Sequence, residues 1–225
     1  MAATATQLLL ASASPRRSEL LERLGLDFTV DPSDVDEEAL ERQLAGSMPS
    51  EIAAALASAK AASIADRHPD AVVLAADTMV VIEGVILGKP VDEEDALGML
   101  RRLAGRCHEV ITSVVVQAGD RSHGASVTSR VEMRACSDER LRAYIASGEP
   151  FDKAGGYAVQ GGGATLVKRV EGCLLNVMGL PVCSAISRLA RHGLIAEQDP
   201  LQACASLTAA LRFNGFELSA HPPLV

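Results

Sequence analysis

Residues 8–25 read LLLASASPRRSELLERLG. The first four, Leu8–Ala11, have the length and composition of a short buried strand, whereas Pro15–Leu24 carries leucines at helical spacing. Pro15 suits the first turn of that helix, Ser14 can cap it, and Gly25 stops it. A strand handed to a helix across three residues is the opening unit of an α/β protein.

The rest of the chain repeats the alternation. Phe28–Val30 reads as a second strand, followed by an acidic loop, DPSDVDEE (31–38). Ser50–Arg67 is an Ala-rich helix, and Ala71–Ala76 a buried strand running straight into Asp77 and Thr78. Residues 79–90, MVVIEGVILGKP, form two β segments around a Glu83-Gly84 turn. Asp92–Leu103 and Ser137–Ala146 read as capped helices. Between them lie two strands, His108–Gln117 and Ser126–Ala135, joined near Gly119-Asp120. A glycine-dense loop (148–163), a strand (Thr165–Glu171) and a helix (Pro181–Arg191) follow. Residues 194–225 are weakly patterned and are expected to form a loose tail or packing arm. The whole predicts a mixed α/β sheet, in which ligands gather at the carboxyl ends of strands.

Composition narrows the class. Only 3% of residues are aromatic while 48% are hydrophobic, so the core must be built from Leu, Val, Ile and Ala. A net charge of −8 opposes general nucleic-acid binding. No signal-peptide pattern and no apolar run near 20 residues are visible, so no membrane partner is expected. The five cysteines lack zinc-ligand spacing, which fits reduced thiols and a cytoplasmic location. Of 21 basic residues only Lys60, Lys89, Lys153 and Lys168 are lysines, a pointer to places that need a compact ammonium.

Several clusters can carry chemistry. Ser12, Arg16 and Arg17 stand at a helix start, where first-turn N–H groups and guanidinium forks suit a phosphate; a capped helix with two solvated arginines is the other reading. Asp77 follows six apolar residues, and a carboxylate there can hold a divalent metal or take a proton from water. Glu37 could join it in a two-carboxylate Mg²⁺ site completed by phosphate oxygens and waters. Lys60 sits among small residues in mid-helix. Lys89, in GVILGKP, is not a Walker A lysine: the glycine spacing is one short, and Pro replaces Ser or Thr. Five glycines between 155 and 163 allow backbone to wrap a ligand closely, and the amide of Gln160 can read a base edge. Together these describe a metal-dependent phosphate-transfer or hydrolysis site on a nucleotide.

In order along the chain, LLLASASPRRSELL, LAADTMVVIEGVILGKP, LAGRCHEVITSV, YIASGEPFDKAGGYAVQG and EGCLLNVMGLPV resemble the signature blocks of the Maf family, over roughly residues 7–192. The resemblance implies a two-lobed mixed sheet with flanking helices and a central cleft, similar to the inosine-triphosphate pyrophosphatases. It implies one such domain over 1–193, with 194–225 as a C-terminal extension, and a homodimer. The implied activity is a metal-dependent nucleoside triphosphate pyrophosphatase using Mg²⁺ or Mn²⁺, with a nucleotide-binding regulator of septum formation as the alternative. Family roles fall on Asp77 as base, with Glu37 sharing the metal. Arg16, Arg17, Lys60 and Lys89 would face the phosphates, together with Ser12. Arg16, Thr78 and Gln160 would set base choice: Arg16-Arg17, Asp77-Thr78 and Tyr157–Gly161 resemble the branch that prefers dTTP and UTP, not the branch that carries an aromatic residue in place of Arg16 and prefers 7-methyl-GTP. Cys173–Leu175 before Asn176 is more apolar than that pattern, which bears on one wall of the expected cleft.

Overall fold

The computed structural model describes residues 7–194 and 216–219, with scattered positions between them. The described strands form one mixed sheet. In chain order they are β1 (Leu8–Leu10), β2 (Thr29–Val30), β3 (Val72–Ile82), β4 (Val85–Leu87), β5 (Cys107–Ala118), β6 (Arg121–Met133), β7 (Val167–Glu171) and β8 (Glu217–Ser219). Their spatial order is β2-β1-β3-β5-β6-β7-β8, with β4 paired to β3. The helices are α1 (Pro15–Glu22), α2 (Glu37–Gln43), α3 (Pro49–Arg67), α4 (Glu93–Leu103), α5 (Asp138–Ile145), α6 (Leu174–Val177) and α7 (Val182–Ala190).

The chain divides into two compact units, and β3, β5 and β6 each pass from one to the other. The first unit holds residues 1–77, 112–127 and 179–205. In it β1 runs parallel to both β2 and β3, in register Leu9↔Thr29 and Leu9↔Val73. Its core joins Leu9, Val73, Ala75 and Val115 of the strands to Ala57, Ala61 and Ile64 of α3. Those alanines recur at helical spacing, and their small side chains let α3 lie close to the sheet. Side chains alternate along a strand, so Asp77 shares a face with Val73 and Ala75, the face that α3 covers.

The second unit holds residues 78–111, 128–178 and 206–225. Here β3 turns back into antiparallel β4 through Glu83 (φ 52°) and Gly84 (φ 76°). Two successive positive φ values mark the tight turn whose twist matches a hairpin. Asp92 caps α4 by accepting the Asp95 N–H at 2.8 Å, and Ser137 caps α5. Arg142 of α5 reaches Glu94 of α4, and Arg101 of α4 pairs with Asp138 of α5. The buried Asn176 donates to the Val110 carbonyl and to Ser129 Oγ, both at 2.9 Å. Cys173, Leu174 and Leu175 are buried beside it, so this apolar departure builds core.

Three local readings change. β3 does not end at Ala76; it continues through Asp77 and Thr78 to Ile82, so Asp77 lies within a strand. The parallel pairing with β1 nevertheless ends near Leu74, and Asp77 stands beyond it. Glu37 is not on a loop but opens α2, where Asp36 caps the helix by accepting the Ala39 N–H at 2.9 Å. Ser14 precedes α1 without a side-chain cap; Ser12 Oγ instead accepts the Ser14 N–H at 3.2 Å. Of the expected tail, Glu217–Ser219 adds a parallel strand beside β7, while most of 194–225 lies outside the described residues.

Candidate active site

In the first unit six of the nine candidate residues lie on four elements and one flank: Arg16 and Arg17 on α1, Glu37 on α2, Lys60 on α3, Asp77 on β3, and Ser12 between β1 and α1. Lys60, 7% exposed, projects from α3 between two carboxylates. Its Nζ lies 2.7 Å from Asp77 Oδ1 and 2.8 Å from Glu37 Oε2. Arg17 is likewise buried: Nη1 donates to Ser12 Oγ at 2.8 Å and Nε donates to the Gly179 carbonyl at 2.8 Å. Burial lowers the Arg17 pKa, while the charges of Asp77 and Glu37 act to raise it, so the guanidinium feels both carboxylates. Arg16, half-buried, is the next residue on the same turn.

The carboxylates here also act on one another. Glu41, one turn after Glu37 on α2, has its carboxyl raised above the usual carboxylate range, by burial first and then by repulsion from Asp77 and Glu37. The acidic loop before α2 adds little to this, because its charges are engaged elsewhere. Asp31 accepts from Arg67 at 3.1 Å and pairs with His68 Nε2 at 2.9 Å. Asp34 accepts from Ser63 Oγ at 2.7 Å, a bond that leads in lowering its pKa. These contacts clip the loop to the C-terminal half of α3 and so fix where α2 begins.

Among the described residues no group of three or more His, Cys, Asp or Glu is placed to hold a metal ion. Two carboxylates converging on a single ammonium are a different donor set. It suits Mg²⁺, which is commonly held by one or two carboxylates with substrate phosphates and waters completing its shell.

In the second unit, Lys89 is exposed just after β4, and Gln160 is half-buried just before a 3₁₀ segment, Gly161–Leu166. Backbone links the two regions: the Gly155 N–H donates to the Gly88 carbonyl at 2.9 Å. The glycine run wraps the protein's own atoms. A Cβ on Gly155 would stand 2.9 Å from Val80 Cγ1, and one on Gly163 only 2.5 Å from the Ala158 carbonyl oxygen. Tyr157, buried in the same loop, shares a 2.6 Å hydrogen bond with His108 Nε2 of β5. Burial pushes the His108 pKa down to about 4 and the Tyr157 phenol upward, so both are neutral at physiological pH.

With this geometry in view, the profile of the Maf-like protein family matches residues 7–192. The chain belongs to the Maf family. The match to curated relatives spans nearly the whole length of each. The dTTP/UTP pyrophosphatase of Myxococcus xanthus (strain DK1622) is 48% identical over 194 residues, 86% of this chain and 96% of the relative. That of Geotalea uraniireducens (strain Rf4) is 45% identical over 192 residues, 84% of this chain and 97% of the relative. A solved structure of a HAM1 protein from Coxiella burnetii aligns over 93% of this chain and all of its own, at 14% identity and a TM-score of 0.42, too remote to bear on the fold.

Among the family's candidate positions, contacts join Ser12 to Arg17 and Lys60 to both Glu37 and Asp77. Lys89, Thr78 and Gln160 belong to the second unit. Reading the sequence missed Glu41 and the Gly179 carbonyl. Glu41 had a signal, its spacing of four from Glu37 on one helix face; the carbonyl, 162 residues from Arg17, had none.

Proposed function

We propose that this member of the Maf family hydrolyses nucleoside triphosphates, dTTP and UTP among them, to the nucleoside monophosphate and pyrophosphate. The observation that carries the reading is Lys60 seated between Asp77 and Glu37, in a chain whose family relatives bear the name dTTP/UTP pyrophosphatase.

The chemistry follows from those side chains. Lys60 engages Asp77 Oδ1, which orients the carboxylate and leaves Oδ2 to take a proton from water. That water adds to the α-phosphorus as the bond to the α–β bridging oxygen breaks, and pyrophosphate leaves with the electron pair. Arg17, held rigid by Ser12 and Gly179, and Arg16 beside it neutralise charge that develops on the phosphate oxygens. Lys89 serves the same end, and Gln160, Thr78 and Arg16 select the base. A divalent cation, Mg²⁺ or Mn²⁺, is assigned to Glu37 and Asp77, where it would supply Lewis-acid polarisation of the phosphoryl oxygens.

The deciding experiment incubates the protein with dTTP, UTP, CTP and 7-methyl-GTP plus Mn²⁺ in ¹⁸O-labelled water. Monophosphate carrying the label and unlabelled pyrophosphate are expected, with dTTP and UTP fastest. Diphosphate and inorganic phosphate as the main products would overturn the cleavage site. Tight nucleotide binding without turnover would favour a sensing role, such as a regulator of division, over an enzyme.

A further inference from the structure

The three glycines that follow Gln160 hold an anion that the protein itself provides. Glu149 directs its carboxylate at successive backbone amides: the Gly162 N–H donates to Oε1 at 3.0 Å and the Gly163 N–H to Oε2 at 3.3 Å. The carboxylate also lies flat against Gly161, whose Cβ, were it present, would be 2.9 Å from Oε1 and 3.1 Å from Oε2. Gly161 has φ +60°, so only glycine meets both the backbone and the contact requirement there. Successive N–H groups around a carboxylate form a nest, a concave anion site of backbone dipoles.

Glu149 is itself fixed from behind. It follows Gly148 (φ 77°) at the exit of α5, its N–H donates to Ser147 Oγ at 3.3 Å, and its carbonyl accepts from Lys153 Nζ at 2.5 Å. On the other side of Gln160, the loop is held by the Tyr157–His108 bond. Gln160 thus occupies a short span with both ends pinned, and the pin adjoining it is the Glu149 carboxylate.

We infer that Glu149 is the positioning residue for Gln160: an internal carboxylate that sets the backbone from which the base-reading amide projects. The inference rests on the proposed role of Gln160 in base selection and adds the device that aims it. A change at Glu149 therefore acts on discrimination between bases and leaves handling of the triphosphate intact.

Glu149→Gln keeps the shape but places an NH₂ donor against one of the two amides. Glu149→Ala removes the anion. Both are compared with the unmodified protein by kcat and KM for dTTP, UTP and CTP, and by hydrolysis of inorganic triphosphate, which has no base to read. Native folding is checked by melting temperature, and the nest itself by amide exchange at Gly162 and Gly163. The expected result is roughly a tenfold loss of preference for dTTP and UTP over CTP, carried by KM. Exchange at the two amides should quicken, and the ratio of triphosphate cleavage to wild type should stay near one. Formate added to Glu149→Ala should restore part of the preference. Unchanged base preference in a variant whose two amides have lost protection overturns the inference while leaving the hydrolase reading intact. An equal loss on every substrate, inorganic triphosphate included, also overturns it. A wild-type protein inert toward all nucleotides removes the hydrolase reading and this inference with it.

Discussion

Two polar regions of the molecule are built on opposite electrostatic plans. Around Lys60 ionisable groups crowd together: one ammonium faces Asp77 and Glu37, Arg17 feels both carboxylates, and burial first and then repulsion from those two make Glu41 hold its proton more tightly than usual. Around Tyr157 charge is closed off by a neutral His–Tyr pair and by two backbone amides on the Glu149 carboxylate, while the buried His108 Nδ1 has no hydrogen-bond partner. Two carboxylates converging in a partly buried place can hold a cation that arrives with the substrate. Short internal hydrogen bonds favour rigidity. The first plan suits chemistry and the second suits aiming a side chain.

The sharpest way to break this contrast is at Asp77. Asp77→Asn keeps size and a hydrogen-bond acceptor for Lys60 but removes the base, so turnover of dTTP should fall by about 10³-fold while circular dichroism stays native. Near-normal turnover would remove Asp77 from the proton-accepting role. Lys60→Met tests the balance itself. Removing one partner of a buried pair leaves the other charge uncompensated, at a cost of about 3 kcal/mol in metal-free buffer, measured by urea unfolding. Mn²⁺ should then raise the melting temperature of the variant more than that of the wild type, because the cation competes with no ammonium. A variant as stable as wild type without metal would show that Lys60 does not hold the carboxylates.

The closed region makes a pH prediction of defined sign. Folded His108 titrates near pH 4, against 6.5 for a free side chain. Between those values the unfolded chain binds more protons, so the contribution of His108 is fully present above about pH 6.5 and lost as pH falls toward 4. From pH 7 to pH 5 that loss is about 2 kcal/mol, and His108→Gln should flatten this part of the urea-unfolding profile. An equally steep profile in the variant would assign the pH dependence to other groups.

Much of this was legible from pattern alone. The Ala-rich helix read over 50–67, which the structure begins one residue earlier, and the apolar strand entering Asp77 were both visible, and Glu83-Gly84 was read as a turn from residue type. Failures came where a distant partner decides the local outcome. The acidic loop holds over 31–36, but Glu37 and Glu38 open α2 because Asp36 caps it, and the partners that Asp31 and Asp34 take some thirty residues away on α3 had no local signal. Glycines 161–163 looked like a cradle for substrate because nothing local shows that Glu149, twelve or more residues earlier, fills it. The pairing of Lys60 with Asp77 spans 17 residues and two element types. The small neighbours of Lys60 hinted at close approach, but no spacing rule names the partner.

Arg16 and Arg17 carry the same contrast within one dipeptide. Arg17, 9% exposed, is locked by Ser12 and the Gly179 carbonyl, as firmly internal as the His108–Tyr157 pair. Its fork geometry is matched to two separate acceptors, so Arg17→Lys should lose one of them and weaken both folding and turnover. Arg16 is on the same turn but half-buried. Arg16→Trp should accordingly leave the melting temperature nearly unchanged and shift the ratio of kcat/KM for dTTP and UTP against 7-methyl-GTP by roughly tenfold, about 1.4 kcal/mol. An unaltered ratio would take Arg16 out of base selection. A large drop in stability would instead make it a second structural arginine, and the division of labour between the neighbours would fail.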